Sequence, residues 1–238
     1  MHHPDHNASP FNDIPPVVVM LVVLIGVIEL AFQAGSAGLV GGQEAVGWRV
    51  TMMERFGFFD LVFELMRESR QTPIDGLMRF FTYVFVHFAA MHAIFACVML
   101  LAIGKFVGER FSGISVLIIF FTSAAAGAIA FGLMADGRAM LIGAYPAIYG
   151  LLGAFTWTLF MSYERAGENR IKAFQLIGIL MGLQLAFRLL GGVLGAGDAG
   201  PDWIADLTGF VVGFALSYVL APDGPRRVAD WLSRMRNR

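Results

Sequence analysis

Several residues of this chain have the types and settings that chemistry uses. His87 and His92 lie near the start of one apolar stretch, Arg188 lies deep in another, and Asp206 sits early in a third. Ionisable groups at membrane depth are costly and tend to mark sites of function. Histidine carries protons near neutral pH, and a carboxylate accepts them. Yet His87 and His92 are five residues apart and share one helical face poorly. A helix-borne metal pair prefers a spacing of four, and no cysteine or carboxylate adjoins them in sequence. The pattern predicts no metal and no cofactor, and the simpler reading is a pair of hydrogen-bonded histidines near the outer interface. Ser123 is the one serine deep in an apolar run; with no histidine and positioning group arranged beside it, it reads as a packing residue.

The stretch "LIGAYPAIYGLLGAF", residues 141–155, is a glycine-rich hinge leading into an apolar helix. Such a turn suits a nucleophile, but Tyr145 and Pro146 stand there. Asp206 could accept a hydrogen bond from Tyr145 if the two helices touch, or it could face a wet cavity, since Asp198 and Asp202 precede it. An unpaired carboxylate in a low-dielectric setting is expensive. Arg188 should snorkel to the nearer interface or pair inside.

The elements that must position these residues are membrane helices. Of the 238 residues 57% are hydrophobic and only 15% charged, against about 25% charged in an ordinary soluble domain; mean hydropathy is +0.68. Six apolar segments run approximately 16–34, 80–103, 114–134, 146–163, 173–196 and 203–221. A spanning helix needs about 20 mainly apolar residues. The fold class expected is all-α, a polytopic six-helix bundle forming one domain over 16–223. A polar segment precedes it at 1–15 and a basic tail follows at 224–238. The polar start lacks a signal peptide's positive charge, so the first segment reads as a retained helix. Cys97, the single cysteine, reads as a small buried hydrophobe.

The long first loop, about 35–79, contains "WRVTMMERFGFFDLVFELMRES", too charged to span but spaced like a helix. It predicts helices lying along the membrane surface. Basic residues orient the chain. With both termini in the cytoplasm, Lys105, Arg110, Arg165, Arg170, Lys172, Arg226, Arg227, Arg234, Arg236 and Arg238 lie inside, and Arg138 lies outside. Arg49, Arg55, Arg67, Arg70 and Arg79 of the first loop run against this rule, but they are interleaved with Glu54, Asp60, Glu64 and Glu68 and can sit at headgroup level. Short loops fit a bacterial inner membrane. The lipid bilayer is the expected partner, and nothing points to nucleic acid. In the last span Ala205, Gly209, Gly213 and Ser217 recur every four residues, and Ala147, Gly150 and Ala154 line one face of the fourth. Small faces let helix backbones approach closely in lipid.

Together, in their order along residues 40–220, these features resemble the rhomboid family of intramembrane serine proteases. Trp48-Arg49 resembles the family's first-loop signature. His87 and His92 match its two histidines, and Gly104, Gly108 and Glu109 its glycine and glutamate turn. "GAYPAIYGLLGAF" is similar to its nucleophile region, and Gly209 and Gly213 to the glycine pair of its last helix. The departures fall on the chemistry. After Gly143 and Ala144, the nucleophile serine is Tyr145 and the next glycine is Pro146. The catalytic histidine matches Asp206. The oxyanion position beside His92 matches Ala96. Tyr149 and Gly153 are retained at packing positions.

Hydrolysis would need an activated oxygen and donors for the oxyanion. Proton transfer from a phenol to a carboxylate is uphill by about 8 kcal/mol on reference pKa values. One missing oxyanion donor costs about 3 kcal/mol, and Ala96 donates nothing. The resemblance therefore implies an inactive relative that binds transmembrane clients, with His87, His92, Tyr145, Tyr149 and Asp206 around the client cavity. An active protease with a non-standard site is the alternative. A transporter-like or structural membrane protein is another, though no repeated halves are visible and only the breaks at Gly143 and Gly191–Gly192 favour it.

Overall fold

A computed structural model describes residues 14–135, 139–193 and 201–224, with 233 and 235 besides, but not the side chains of 188 and 191–193. The first thirteen residues, Arg138, Asp198, the tail arginines and the Arg188 side chain thus lie outside the described residues.

Helix α1, Pro16–Ser36, starts on a proline, whose missing N–H is one that a helix start leaves unpaired anyway. Val18, Leu21, Ile25 and Phe32 are buried at helical spacing, while Val19, Met20, Val23, Leu24, Val27 and Leu30 face outward. The first loop folds as a 3-10 turn, Gly42–Gly47, then α2, Trp48–Phe56, strand β1, Phe58–Phe59, α3, Asp60–Ser69, and α4, Ile74–Thr82. The helical spacing of this loop is realised as three short helices, the first ending where Gly57 caps α2 through Met53 O. A phenylalanine cluster, Phe58, Phe63, Phe80 and Phe131, holds the loop against the bundle.

The second apolar segment departs from its expected bounds. Residues 80–85 finish α4 and a 3-10 turn, Tyr83–Phe85, and the long helix α5 begins only at Ala90 and ends at Gly108. Between them the His87 carbonyl accepts a hydrogen bond from Arg49 Nη1 at 2.7 Å, so that carbonyl is engaged outside any helix. His87 therefore precedes the span instead of lying in it. α6, Gly113–Met134, is capped by Ser112, whose side chain accepts from Ser115 N. Strand β2, Met140–Leu141, pairs antiparallel with β1, Phe58 opposite Leu141. This two-residue ladder is the small β exception among the described residues, whose other elements are helical. α7, Tyr145–Arg165, a 3-10 turn, Arg170–Phe174, α8, Gln175–Val193, and α9, Asp202–Leu220, complete the described elements.

Five stretches among the described residues are long and apolar enough to cross a membrane: α1, α5, α6, Arg170–Phe187 and α9. α7 has the length, 21 residues, but its tyrosines, threonines and tryptophan leave it the least apolar of the long helices. It is also the most enclosed, with every residue from Pro146 to Ala154 buried. A helix surrounded by protein does not need a lipid-compatible surface. The chain is an integral, multi-pass, all-α membrane protein.

Glycines set the helix contacts. A Cβ added at Gly209 would collide with the Pro146 carbonyl, one at Gly213 with the Gly150 carbonyl, and one at Gly153 with the Phe210 carbonyl. The small faces of α7 and α9 thus touch backbone to backbone, which supplies the dispersion contact that hydrophobicity cannot supply in lipid. Gly150 also lies against Ser123, which is fully buried and has no hydrogen-bond partner. Gly104 packs on Val18 and Gly108 on Pro15, joining α5 to α1. Glu109 closes α5 through its backbone N–H to Lys105 O, with its side chain exposed. Cys97 is half-buried.

Candidate functional site

The turn into α7 is fixed from several sides. Gly143 N donates to Tyr83 O at 3.0 Å, and Ala144 N donates to His87 Nε2 at 3.3 Å. The second bond requires an unprotonated Nε2, and the ring's other hydrogen bond goes to the Phe85 backbone, so His87 is a neutral, structural acceptor. Gly143 has φ +96°, a conformation that glycine adopts without steric cost. A side chain there would also meet His92, with a Cβ 2.8 Å from Cε1. Pro146 follows inside the first turn of α7, leaving Tyr145 projecting from the helix start.

Tyr145 lies flat on His92, ring centroids 5.0 Å apart and 13° from parallel. His87 meets His92 edge-on at 5.1 Å, and Phe88 lies at 5.2 Å. His92 is therefore enclosed by three rings, and its Nδ1 has no hydrogen-bond partner. Ala96, one helical turn on, is fully buried and brings only a methyl group. The two histidines lie close in space, but no group of three or more potential metal ligands forms among the described residues.

Asp206 is 5% exposed, and its carboxylate is engaged. Gln184 Nε2 of α8 donates to Asp206 Oδ2 at 2.7 Å and to the Tyr149 hydroxyl at 3.1 Å. Of the two partnerships weighed from sequence, the carboxylate does not bond to Tyr145; it lines a cavity, closed off on one side by Gln184. The cavity measures about 330 Å³ and is lined by His92, Tyr145, Gln184, Trp203 and Asp206, among others. It lies at the ends of α7 and α9 nearest the Gly143 turn.

A second cluster lies outside that cavity. Glu29, in the middle of α1 and 8% exposed, pairs with Arg49 through Nη2–Oε1 at 2.6 Å and Nη1–Oε2 at 2.8 Å. Gln33 Nε2 donates to the same carboxylate at 2.8 Å. Phe32 carries the guanidinium on its face, 5.0 Å from the ring centroid. Since Arg49 also holds the His87 carbonyl, a continuous set of bonds runs from α1 through α2 and His87 to the start of α7. Trp48 covers Gly35 and Gly41 beside it. An apolar crevice of about 460 Å³ adjoins this clamp, between α1, α2 and residues 82–86.

Two of these participants went unnoticed in the sequence. Glu29 was hidden in "VVVMLVVLIGVIELAF", although a lone acid in a spanning segment implies a basic partner. Gln184 carries no charge, and only its helical register, seven residues from the buried Ile177, marks it as facing inward.

Compared with curated proteins, the chain finds no match. Residues 75–223 match the family model described as the rhomboid domain. That is well over half of the chain, and the chain belongs to the rhomboid family.

Proposed function

We propose that this rhomboid-family chain is a catalytically silent member that binds transmembrane segments of client proteins, using the cavity at His92, Tyr145 and Asp206. The observation that carries the reading is the state of the three positions where the family's chemistry would sit. At the nucleophile position a phenol ring stacks on His92. The carboxylate at the base position takes its hydrogen bond from Gln184. The oxyanion position is the methyl group of Ala96. No hydroxyl is joined to a base here, and the activation that acyl transfer needs is missing.

What remains is a shaped, partly polar hollow at the edge of a helix bundle. In lipid, a client helix with a polar side chain gains from finding such a hollow instead of acyl chains. In this reading α7 also crosses the membrane, as the fourth of six spans, the first-loop helices lie at the membrane surface, and both termini face the cytoplasm of a bacterial inner membrane. Trp48, Arg49, Gly104, Glu109, Gly143, Pro146, Gly153, Gly209 and Gly213 serve the scaffold.

The test pairs capture with chemistry. A photoreactive residue at Ile142, in native membranes, should crosslink to single-span membrane proteins through their transmembrane segments. The purified chain should leave a helical membrane substrate uncut and take no label from a serine-directed fluorophosphonate. Cleavage lost on altering Tyr145 or Asp206 would overturn the proposal in favour of an active protease.

A further inference from the structure

The polar groups at the cavity wall, with Tyr149 buried behind Gln184, suggest what a client would have to present. Asp206 accepts through its carboxylate and Tyr149 through its hydroxyl oxygen, both from the two hydrogens of the Gln184 amide. The remaining atom of that amide, Gln184 Oε1, is buried with no partner. A hydrolytic site would aim donors at a carbonyl oxygen; here two acceptors converge on a primary amide. Gln184 itself belongs to the least enclosed of the long helices. Its neighbours Leu183, Leu185 and Phe187 are all exposed, and Ile177, Leu180, Met181 and Gln184 form the one stripe that faces the bundle.

We infer that the cavity is a carboxamide site, recognising an Asn or Gln side chain on a client's transmembrane helix, and that Gln184 occupies this site when no client is present. The inference rests on the client-binding reading of the same cavity. A client amide would make the bonds that Gln184 makes now: one N–H to Asp206 and one to Tyr149. Its own carbonyl oxygen would take the Tyr145 hydroxyl, which lines the cavity and makes no bond with Asp206. Gln184 would leave its acceptors as α8 moves aside, and its orphaned oxygen would be relieved. A client carboxylate, by contrast, would set its charge against Asp206 and bring no N–H for the two acceptors.

Binding is measured with the full chain in phosphatidylcholine vesicles, by energy transfer to a labelled Leu-rich transmembrane peptide. The peptide carries Leu, Asn or Asp at positions scanned through its first two turns. An interhelical side-chain hydrogen bond changes affinity by roughly 3- to 30-fold. For the unaltered chain the Asn peptide should bind about threefold tighter than the Leu peptide, because Gln184 competes. In Gln184→Leu the site is vacated, and the advantage should grow to about tenfold or more. In the double variant Gln184→Leu/Asp206→Leu, which leaves the Tyr149 hydroxyl as the one acceptor of the pair, the advantage should fall to about threefold or less while the Leu peptide binds as before. Equal binding of Asn and Leu peptides to Gln184→Leu, or an Asp peptide that binds as well as Asn, would overturn the carboxamide site and leave client binding standing. Failure of every peptide to bind would overturn both.

Discussion

Helices α7 and α8 are two walls of one cavity and are held in opposite ways. α7 is gripped by backbone: Pro146, Gly150 and Gly153 touch α9 at Gly209, Gly213 and Phe210 with no room for another atom. α8 is held by a foot and a latch. The foot is the aromatic cluster of Phe160, Phe174, Phe210 and Phe214 below it. The latch is the Gln184 amide on Asp206 and Tyr149. At Gly178 and Gly182 of α8, an added Cβ would meet nothing within 4 Å. Two segments of similar length, both carrying glycines, therefore have different mechanical roles. A glycine that packs against another backbone fixes a helix; one that faces lipid does not.

Substitutions at these two sets of glycines test the difference directly. Gly209→Leu should have the largest effect, since overpacking a close contact costs about 3 kcal/mol or more. The measurement is the fraction of protein that leaves mild detergent as one sharp gel-filtration peak. Extraction and folding equal to the unaltered chain would show that α7 and α9 are not in close contact. Arg49→Ala comes next. It leaves Glu29 buried and uncompensated, a loss of up to about 3 kcal/mol for a pair whose arginine is part-exposed, visible as a lowered thermal midpoint in detergent. Adding Glu29→Gln to it should recover much of that loss, and strict additivity of the two changes would argue against the clamp.

Tyr145→Ser is expected to be mild for stability. It removes the ring stacked on His92, about 0.5–1.5 kcal/mol beyond the lost area, and it should produce no proteolysis, because Asp206 and Ala96 still supply neither base nor donor. Robust cutting of a transmembrane substrate by that single variant would sink the silent-site reading. The smallest effect belongs to Gly182→Leu on α8. It should shift stability within about 0.5 kcal/mol, as surface changes do. A loss comparable to that of Gly209→Leu would erase the contrast between the two walls.

How much could be read beforehand differs from residue to residue. Ala205, Gly209, Gly213 and Ser217 announced a close-packing face by spacing alone, because small side chains at intervals of four leave one side of a helix bare. The helix positions followed from hydropathy, except where α5 starts ten residues late. That displacement comes from a carbonyl claimed by Arg49 some forty residues earlier, which no local pattern reports. Glu29 was passed over as one acid in a long apolar run, because its partner Arg49 lies across a loop and no basic residue adjoins it in sequence. Gln184 was the hardest to see. A neutral amide barely lowers the hydropathy of a segment, and its importance comes from standing between Tyr149 and Asp206, on two other helices.

The sequence by itself determined that the chain is a helical, multi-pass membrane protein of the rhomboid family. That conclusion depends on composition, order and residue type, which are properties of the chain read in one dimension. Only the tertiary structure decided whom each polar group bonds to: Asp206 to Gln184, Glu29 to Arg49, His87 to Ala144. The physical reason is that a buried polar group must find a partner within hydrogen-bond reach, and in a helix bundle the nearest one usually comes from another helix, at a separation in sequence that local periodicity does not encode.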